Sequence, residues 1–388
     1  MKVQTAERLN NISEYYFSGK LAQVRSMTAR GIDVINLGVG NPDLSPHQSV
    51  INELALSSSQ EGSHGYQSYR SVPELRTAFS KWYLARFGVN VNPETEILPL
   101  IGSKEGIMHI SMAFLNRGDT VLIPDPGYPA YAAAAKLCGA RVMYYNLTPG
   151  NAWLPDINEI EHLDLTGVKI MWINYPNMPT GVRADAGVFK SLVSFARAHN
   201  ILLVNDNPYG LIQNPEPLSL LSQGVSEHTI ELNSLSKSHN MAGWRMGVLV
   251  AAEDNINAIL KVKSNMDSGM FLPLQKAAVK ALELPDSWYS GLNAVYSSRR
   301  ELVFSLLAEL GSEYSRSQSG MFVWSKIPAG WDSSYEYSDF MLDKAGIFIT
   351  PGSIFGSNGR KYIRTSLCVS EERLLESIDR SRNISIKS

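Results

Sequence analysis

Ser234-Leu235-Ser236-Lys237-Ser238-His239-Asn240-Met241-Ala242-Gly243-Trp244-Arg245 follows an apolar, strand-like run from Thr229 to Leu232. It holds one lysine between small hydroxyl residues, with an arginine eight positions further on. A lysine in such a setting can form a Schiff base with a carbonyl group, and a nearby arginine can hold a phosphate. For the lysine taken alone, a surface turn with an ordinary solvated side chain is the reading that wins. Its surroundings decide between the two.

Working outward, the flanking chain alternates strand, glycine-rich turn and helix. Strands are expected over Ile97 to Ile101, Thr120 to Ile123, Arg141 to Tyr145, Lys169 to Ile173, Ile201 to Asn205, Thr229 to Leu232 and Gly247 to Ala251. Helices are expected over residues 47–59 and 73–88, from Gly102 to about Leu115, and over Tyr131 to Cys138, Ala186 to His199 and Asp254 to Lys263. This alternation predicts an α/β fold with a mostly parallel sheet flanked by helices, whose ligands bind beyond the carboxyl ends of the strands. After about residue 285 the pattern changes to a long helix (Asp286 to Leu310), three strand-like segments and a last helix over Glu371 to Arg382. That pattern predicts a smaller α+β domain. The expected division is an N-terminal arm with part of the small domain (1–45), a large domain (46–284) and a small C-terminal domain (285–388).

Composition narrows the function classes. The 388 residues are 44% hydrophobic and 19% charged, with a formal net charge of -2, so nothing suggests a nucleic-acid partner. No apolar run approaches the roughly 18 residues of a membrane span. Met1 to Asn11 lacks the apolar core of a secretory signal. Two cysteines, Cys138 and Cys368, make no disulfide framework and suit a reducing cytoplasm.

Two further motifs fall at strand ends. Gly102-Ser103-Lys104 opens a helix, where backbone N–H groups and the helix dipole favour a phosphate. The spacing is not that of a P-loop. Asp206-Asn207-Pro208-Tyr209 directly follows the strand Ile201 to Val204, so the Asp206 carboxylate is placed to reach into a ligand crevice. There it is either a partner for a protonated ring nitrogen or a turn aspartate.

Together these stretches resemble the class I/II aminotransferases, pyridoxal-phosphate enzymes of fold type I, over nearly the whole chain from about Asn36 to Leu375. The resemblance implies pyridoxal 5'-phosphate as cofactor and amino acids and 2-oxo acids as substrates. It also implies a homodimer with shared active sites. Lys237 matches the Schiff-base lysine and general base. Asp206 matches the partner of the pyridine nitrogen, and Tyr209 a donor to the cofactor's phenolate oxygen. Ser103, Lys104, Ser234 and Arg245 match the phosphate ligands, with Ser236 beside them. Tyr128 matches the ring stacked on the cofactor, and Tyr66 the tyrosine that reaches the phosphate in the partner's site. Gly40, in Gly40-Asn41-Pro42-Asp43, matches the early turn at the substrate, and Arg364 the clamp on the substrate's α-carboxylate. Tyr15, with Tyr16 and Phe17, is expected to cover the pocket from the arm. Pro126 and Pro179 match positions that are often cis.

Two departures stand out. In Asn174-Tyr175-Pro176-Asn177-Met178-Pro179-Thr180-Gly181 the family's asparagine before Pro-Thr-Gly is Met178, and a thioether cannot donate a hydrogen bond. Either Asn177 or Asn174 reaches the phenolate oxygen after a local shift, or Tyr209 serves it alone. Ser71 stands where the family usually has glycine, and only a local adjustment is expected. Gly102-Ser103-Lys104-Glu105-Gly106-Ile107 and Asn265-Met266-Asp267-Ser268-Gly269 look most like the branch holding LL-diaminopimelate and alanine aminotransferases. No second arginine stands out as a distal-carboxylate clamp. A carbon–sulfur β-lyase would keep the same residues, and a non-enzymatic regulator is the reading from another class. No metal site is expected.

Overall fold

The computed structural model describes residues 3–10, 12 and 16–384. The chain enters through a helix, Tyr16–Ala29, and a two-residue strand β1 (Ile35–Asn36). Seven strands then build the main sheet: β2 (Ile97–Leu100), β3 (Thr120–Asp125), β4 (Arg141–Asn146), β5 (Val168–Ile173), β6 (Leu202–Asp206), β7 (Thr229–Ser234) and β8 (Gly247–Ala251). Their order is β2-β8-β7-β6-β5-β3-β4, with β3 through β7 joined in parallel and β8 antiparallel to both its neighbours. Every residue of β2, β3, β6, β7 and β8 is buried. Strands covered on both faces need near-continuous apolar runs, which explains sequences such as Leu202-Leu203-Val204 and Gly247-Val248-Leu249-Val250-Ala251. The fold class is the expected α/β one.

A second sheet follows, from β9 (Glu313–Tyr314), β10 (Phe322–Lys326), β12 (Thr350–Pro351) and β13 (Tyr362–Ser366), in the order β12-β13-β10-β9. Strand β11 (Ile347–Phe348) pairs in parallel with β1, so the start of the chain joins the C-terminal layer. Arg373 and Arg380 of the last helix (Glu371–Arg382) both bind Asp33, anchoring the same junction.

The helices show why their boundaries fall where they do. Pro73 opens Pro73–Phe87 in its first turn, and Gly88 ends it in the left-handed region at φ 67°. The Asp185 side chain accepts from Val188 N at 2.8 Å to start Ala186–Ala198. Among the helices not expected from the sequence are Leu272–Leu282 and Ser334–Ala345. The first carries Pro273, which reads as a breaker but sits in the first turn. The second is rich in aromatic residues of modest helix propensity, and burial of Tyr337, Met341 and Leu342 holds it.

The expected cis bonds before Pro126 and Pro179 are cis, as is the one before Pro176. Ser71 adopts φ 67°, the conformation that favours glycine, and its buried hydroxyl has no hydrogen-bond partner. The adjustment expected there is therefore a left-handed serine.

Candidate active site at the carboxyl edge of the main sheet

Strands β3, β5, β6 and β7 all end at one edge, and β8, running the other way, begins there. The segments leaving this edge enclose a cavity of about 610 Å³. Gly40, Ser103, Lys104, Tyr128, Asp206, Tyr209, Ser234, Ser236, Lys237, Arg245 and Arg364 line it. Residues 324 positions apart in sequence thus share one wall.

Lys237 sits on the short helix Leu235–Ser238, which Ser234 starts by accepting from Ser236 N at 3.1 Å. Its Nζ donates to the Gly40 carbonyl at 2.6 Å. Burial lowers the proton affinity of this amine to a pKa of about 8; the Cys368 thiol opposes the shift, and the cations Arg364 and Arg245 reinforce it. Gly40 packs so closely on Phe322 that a Cβ would lie 2.1 Å from the ring, so no other residue fits that turn.

Asp206 ends β6 and is buried. Its Oδ2 accepts from the Tyr131 hydroxyl at 3.0 Å, while Oδ1 is buried without a hydrogen-bond partner. Burial raises this carboxyl to a pKa of about 7, against the Tyr131 hydrogen bond and with added repulsion from Glu231. A buried carboxylate oxygen without a hydrogen-bond partner, on a residue that lines a cavity, calls for a cationic or N–H partner.

An anion cradle occupies another part of the wall. The helix Ser103–Phe114 begins after Gly102, whose backbone is left-handed at φ 82° and which offers no side-chain cap. A Cβ on Gly102 would come within 2.3 Å of Arg245 Nη2, so the arginine approaches the helix start only because that residue is glycine. Ser234 Oγ lies 2.8 Å from Ser236 Oγ. Hydroxyls, two cationic side chains and open backbone N–H groups suit a phosphate.

Arg364, in the middle of β13, is buried. Nη2 donates to the Gly38 carbonyl at 2.8 Å and Nη1 to the Met178 sulfur at 3.0 Å. Its Cζ lies 3.8 Å from the Phe322 ring centroid and 4.8 Å from that of Phe355.

Two expected site residues, Asn177 and Tyr66, lie outside the cavity. Asn177 is buried away from the cavity, its Oδ1 taken by Thr180 N at 3.2 Å and Thr180 Oγ1 at 2.8 Å. Asn174 lines the cavity instead, but its Nδ2 donates to the Asp206 carbonyl and its Oδ1 accepts from Met178 N at 2.7 Å. Asn174 Nδ2 is thus committed to the Asp206 carbonyl, whereas Asn177 Nδ2 is buried without a hydrogen-bond partner. Tyr66 is 92% exposed and outside the cavity of its own chain. Tyr15 and the side chain of Phe17 lie outside the described residues. Tyr16 lines a separate cavity of about 500 Å³, whereas Leu21 of the same helix reaches the main one.

Tyr131, Pro208, Phe322 and Val39 also line the cavity and were not anticipated as site residues. Tyr131 falls one helical turn after Tyr128, a spacing that could have revealed it. Outside the cavity, Glu105, His109 and Asp267 gather with ligand atoms within 4.8 Å. The buried ammonium of Lys263 pairs with Asp267, so a cation is already supplied there.

Comparisons with known proteins agree with this architecture. The curated LL-diaminopimelate aminotransferase of Dehalococcoides mccartyi (strain ATCC BAA-2266 / KCTC 15142 / 195) is 39% identical over 384 residues, 98% of this chain and 99% of that protein. The protein of the same name from Natranaerobius thermophilus is 39% identical over 97% of this chain and 98% of its own length. The substrate-bound structure of BacF from Bacillus subtilis superimposes with a TM-score of 0.93 at 34% identity, covering 99% of this chain and 98% of that one. The profile of the family described as aminotransferase class I and II matches residues 32–380, and the chain belongs to that family.

Proposed function

We propose that this aminotransferase uses pyridoxal 5'-phosphate, held by Lys237, to move an amino group between an L-amino acid and a 2-oxo acid. The observation that carries this reading is the pair Lys237 and Asp206. A buried amine and a buried carboxylate with one open oxygen share a cavity, and burial has drawn both proton affinities toward neutrality.

The donor set fits the cofactor. Asp206 Oδ1 suits a ring N–H, and Tyr128 and Pro208 offer flat faces. Ser103, Lys104, Ser234, Ser236 and Arg245 suit the phosphate, and the Tyr209 hydroxyl suits a phenolate oxygen. When bound, pyridoxal 5'-phosphate supplies a carbonyl that condenses with amines and a ring that takes up the electron pair released at the amino acid's α-carbon. Lys237 Nζ, a weak enough base to be neutral in much of the population near pH 8, takes the α-proton and returns it during the reverse half. Asp206 keeps a proton on the ring nitrogen by pairing its carboxylate with it, and that cation in turn favours the ionised carboxylate. Arg364 holds the substrate's α-carboxylate through its planar fork of donors.

The apolar residues Leu21, Val39, Met178 and Phe322 form the rest of the wall. Arg245 and Arg364 are the arginines among its described residues. This favours a donor whose distal group is not held by a second arginine of the same subunit; LL-diaminopimelate, whose second carboxylate would need other partners, is the first donor to test from the names of the relatives. A homodimer is supported by the exposed Tyr66, which would reach a neighbour's phosphate site. A reducing cytoplasm suits the free Cys138 and Cys368.

The test is a panel of amino donors, LL-diaminopimelate, alanine, methionine and the aromatic amino acids, each with 2-oxoglutarate or pyruvate. Lys237→Ala should abolish transfer and leave no cofactor on the chain after borohydride reduction and denaturation. Retained transfer would refute the assignment. Pyruvate released from cystathionine without an acceptor would mark lyase activity instead.

A further inference from the structure

We propose that Met178 is a positioning residue of the carboxylate clamp: its sulfur accepts from Arg364 Nη1 and fixes the guanidinium's orientation within its plane. The inference rests on the reading of Arg364 as that clamp.

A guanidinium between two ring faces is free to slide and rotate in its own plane unless its nitrogens are held. Phe322 and Phe355 cover Arg364 at 3.8 and 4.8 Å, and stacking of this kind sets a plane without setting a direction. The Gly38 carbonyl holds Nη2 at 2.8 Å. The Met178 sulfur, 3.0 Å from Nη1, supplies the second point. Two points on a rigid fork define its orientation.

Met178 is itself fixed. It is 6% exposed and belongs to the apolar cluster that contains Tyr209, Met321 and Phe322. Its backbone N–H is held by Asn174 Oδ1 at 2.7 Å, and Asn174 donates to the Asp206 carbonyl. A continuous chain of contacts therefore runs from the end of β6 to the clamp on β13. A thioether is a weak acceptor. It orients the guanidinium and yields readily to an incoming carboxylate. Methionine at this position thus has a role in carboxylate recognition in place of hydrogen-bond donation to the cofactor.

Propionate, an unreactive carboxylate, is titrated into the holoenzyme and followed by visible absorbance and calorimetry. Met178→Leu keeps the volume and apolarity and removes the acceptor. It should weaken propionate binding about fivefold and raise KM for donor and acceptor alike, with cofactor content and the pH profile of the absorbance unchanged. Met178→Gln keeps the length and an acceptor while losing the apolar surface, and should bind propionate within about twofold of the parent. A purely structural methionine predicts the opposite order. Parental affinity in Met178→Leu, or equal losses in both variants, would overturn the proposal. Arg364→Met separates the two readings. If it retains propionate binding, the clamp assignment fails. If it loses binding while Met178→Leu does not, only the role of Met178 falls.

Discussion

Asp206 and Lys237 make opposite contributions to the pH dependence of the cofactor-free protein. The Asp206 carboxyl is raised to about 7, so between about pH 4 and about pH 7 the folded chain binds more protons than the unfolded one, and stability falls as pH rises through that window. Lys237 is lowered to about 8, so from there to about 10.5 the folded chain binds fewer, and stability rises with pH. Asp206→Asn should flatten the acidic limb, a change on the order of 4 kcal/mol across it, measured by urea unfolding of stripped protein. An unchanged slope would show that Asp206 is already ionised. Ser71 gives a simpler prediction. Its left-handed backbone and orphaned hydroxyl both disfavour serine, so Ser71→Gly should stabilise the fold by about 1 kcal/mol in thermal unfolding. Sequence made Lys237 and Asp206 legible because each follows directly on an apolar strand. It could not show that Asn177 turns onto Thr180 while Asn174 faces the cavity. Which of two neighbouring asparagines points inward depends on the path of one short loop, and periodicity carries no information about that.

Among the elements, the helix Ser103–Phe114 has its function concentrated at its start, beside Gly102. Gly102 provides both the left-handed turn and the space for Arg245, so Gly102→Ala strains the backbone and pushes the guanidinium away from the helix start. Cofactor affinity, measured by equilibrium dialysis, should fall at least about tenfold, with a smaller effect on the unfolding midpoint; equal affinity would mean that the helix start is not the phosphate seat. Most strands of the main sheet were legible because burial on both faces favours apolar runs, the edge strand β4 being the exception. The helix Leu272–Leu282 was not, because Pro273 obscures its start and packing of Ala277, Ala278 and Ala281 matters more than any strong amphipathic pattern. The short strand β9 was hidden for a related reason, and the single strand expected over Ile347 to Thr350 is two short ones, β11 and β12. Two residues carry no period, and they exist only because neighbours are brought beside them.

At the scale of the whole molecule, the loops 64–69 and 266–271 lie together, with His64 stacked on Phe271 at 5.9 Å. They leave Tyr66, Tyr69, Met266 and Phe271 exposed. Apolar side chains concentrated around a tyrosine absent from its own cavity suit contact with a second copy. Two impaired variants, Lys237→Ala and Tyr66→Ala, should therefore restore each other on co-refolding, reaching about a quarter of parental activity in an equal mixture. A mixture no better than its components would place Tyr66 outside the partner's site. The antiparallel course of β8 has a consequence of another kind. The chain leaves the sheet at Ser234 and re-enters it at Gly247 on the same edge, closing the lysine stretch as a short local loop tied by Leu235 N to Met246 O at 3.1 Å. By contrast, Lys237 meets Gly40 across 197 positions, and Arg364 meets Gly38 across 326. Closure entropy grows with loop length, so the two halves of the cavity should mature at different times during folding. Pulsed hydrogen exchange should find the Leu235 amide protected before that of Leu37, which bonds to Phe348 O. A folding chain would then close its lysine loop before it can discriminate among carboxylates.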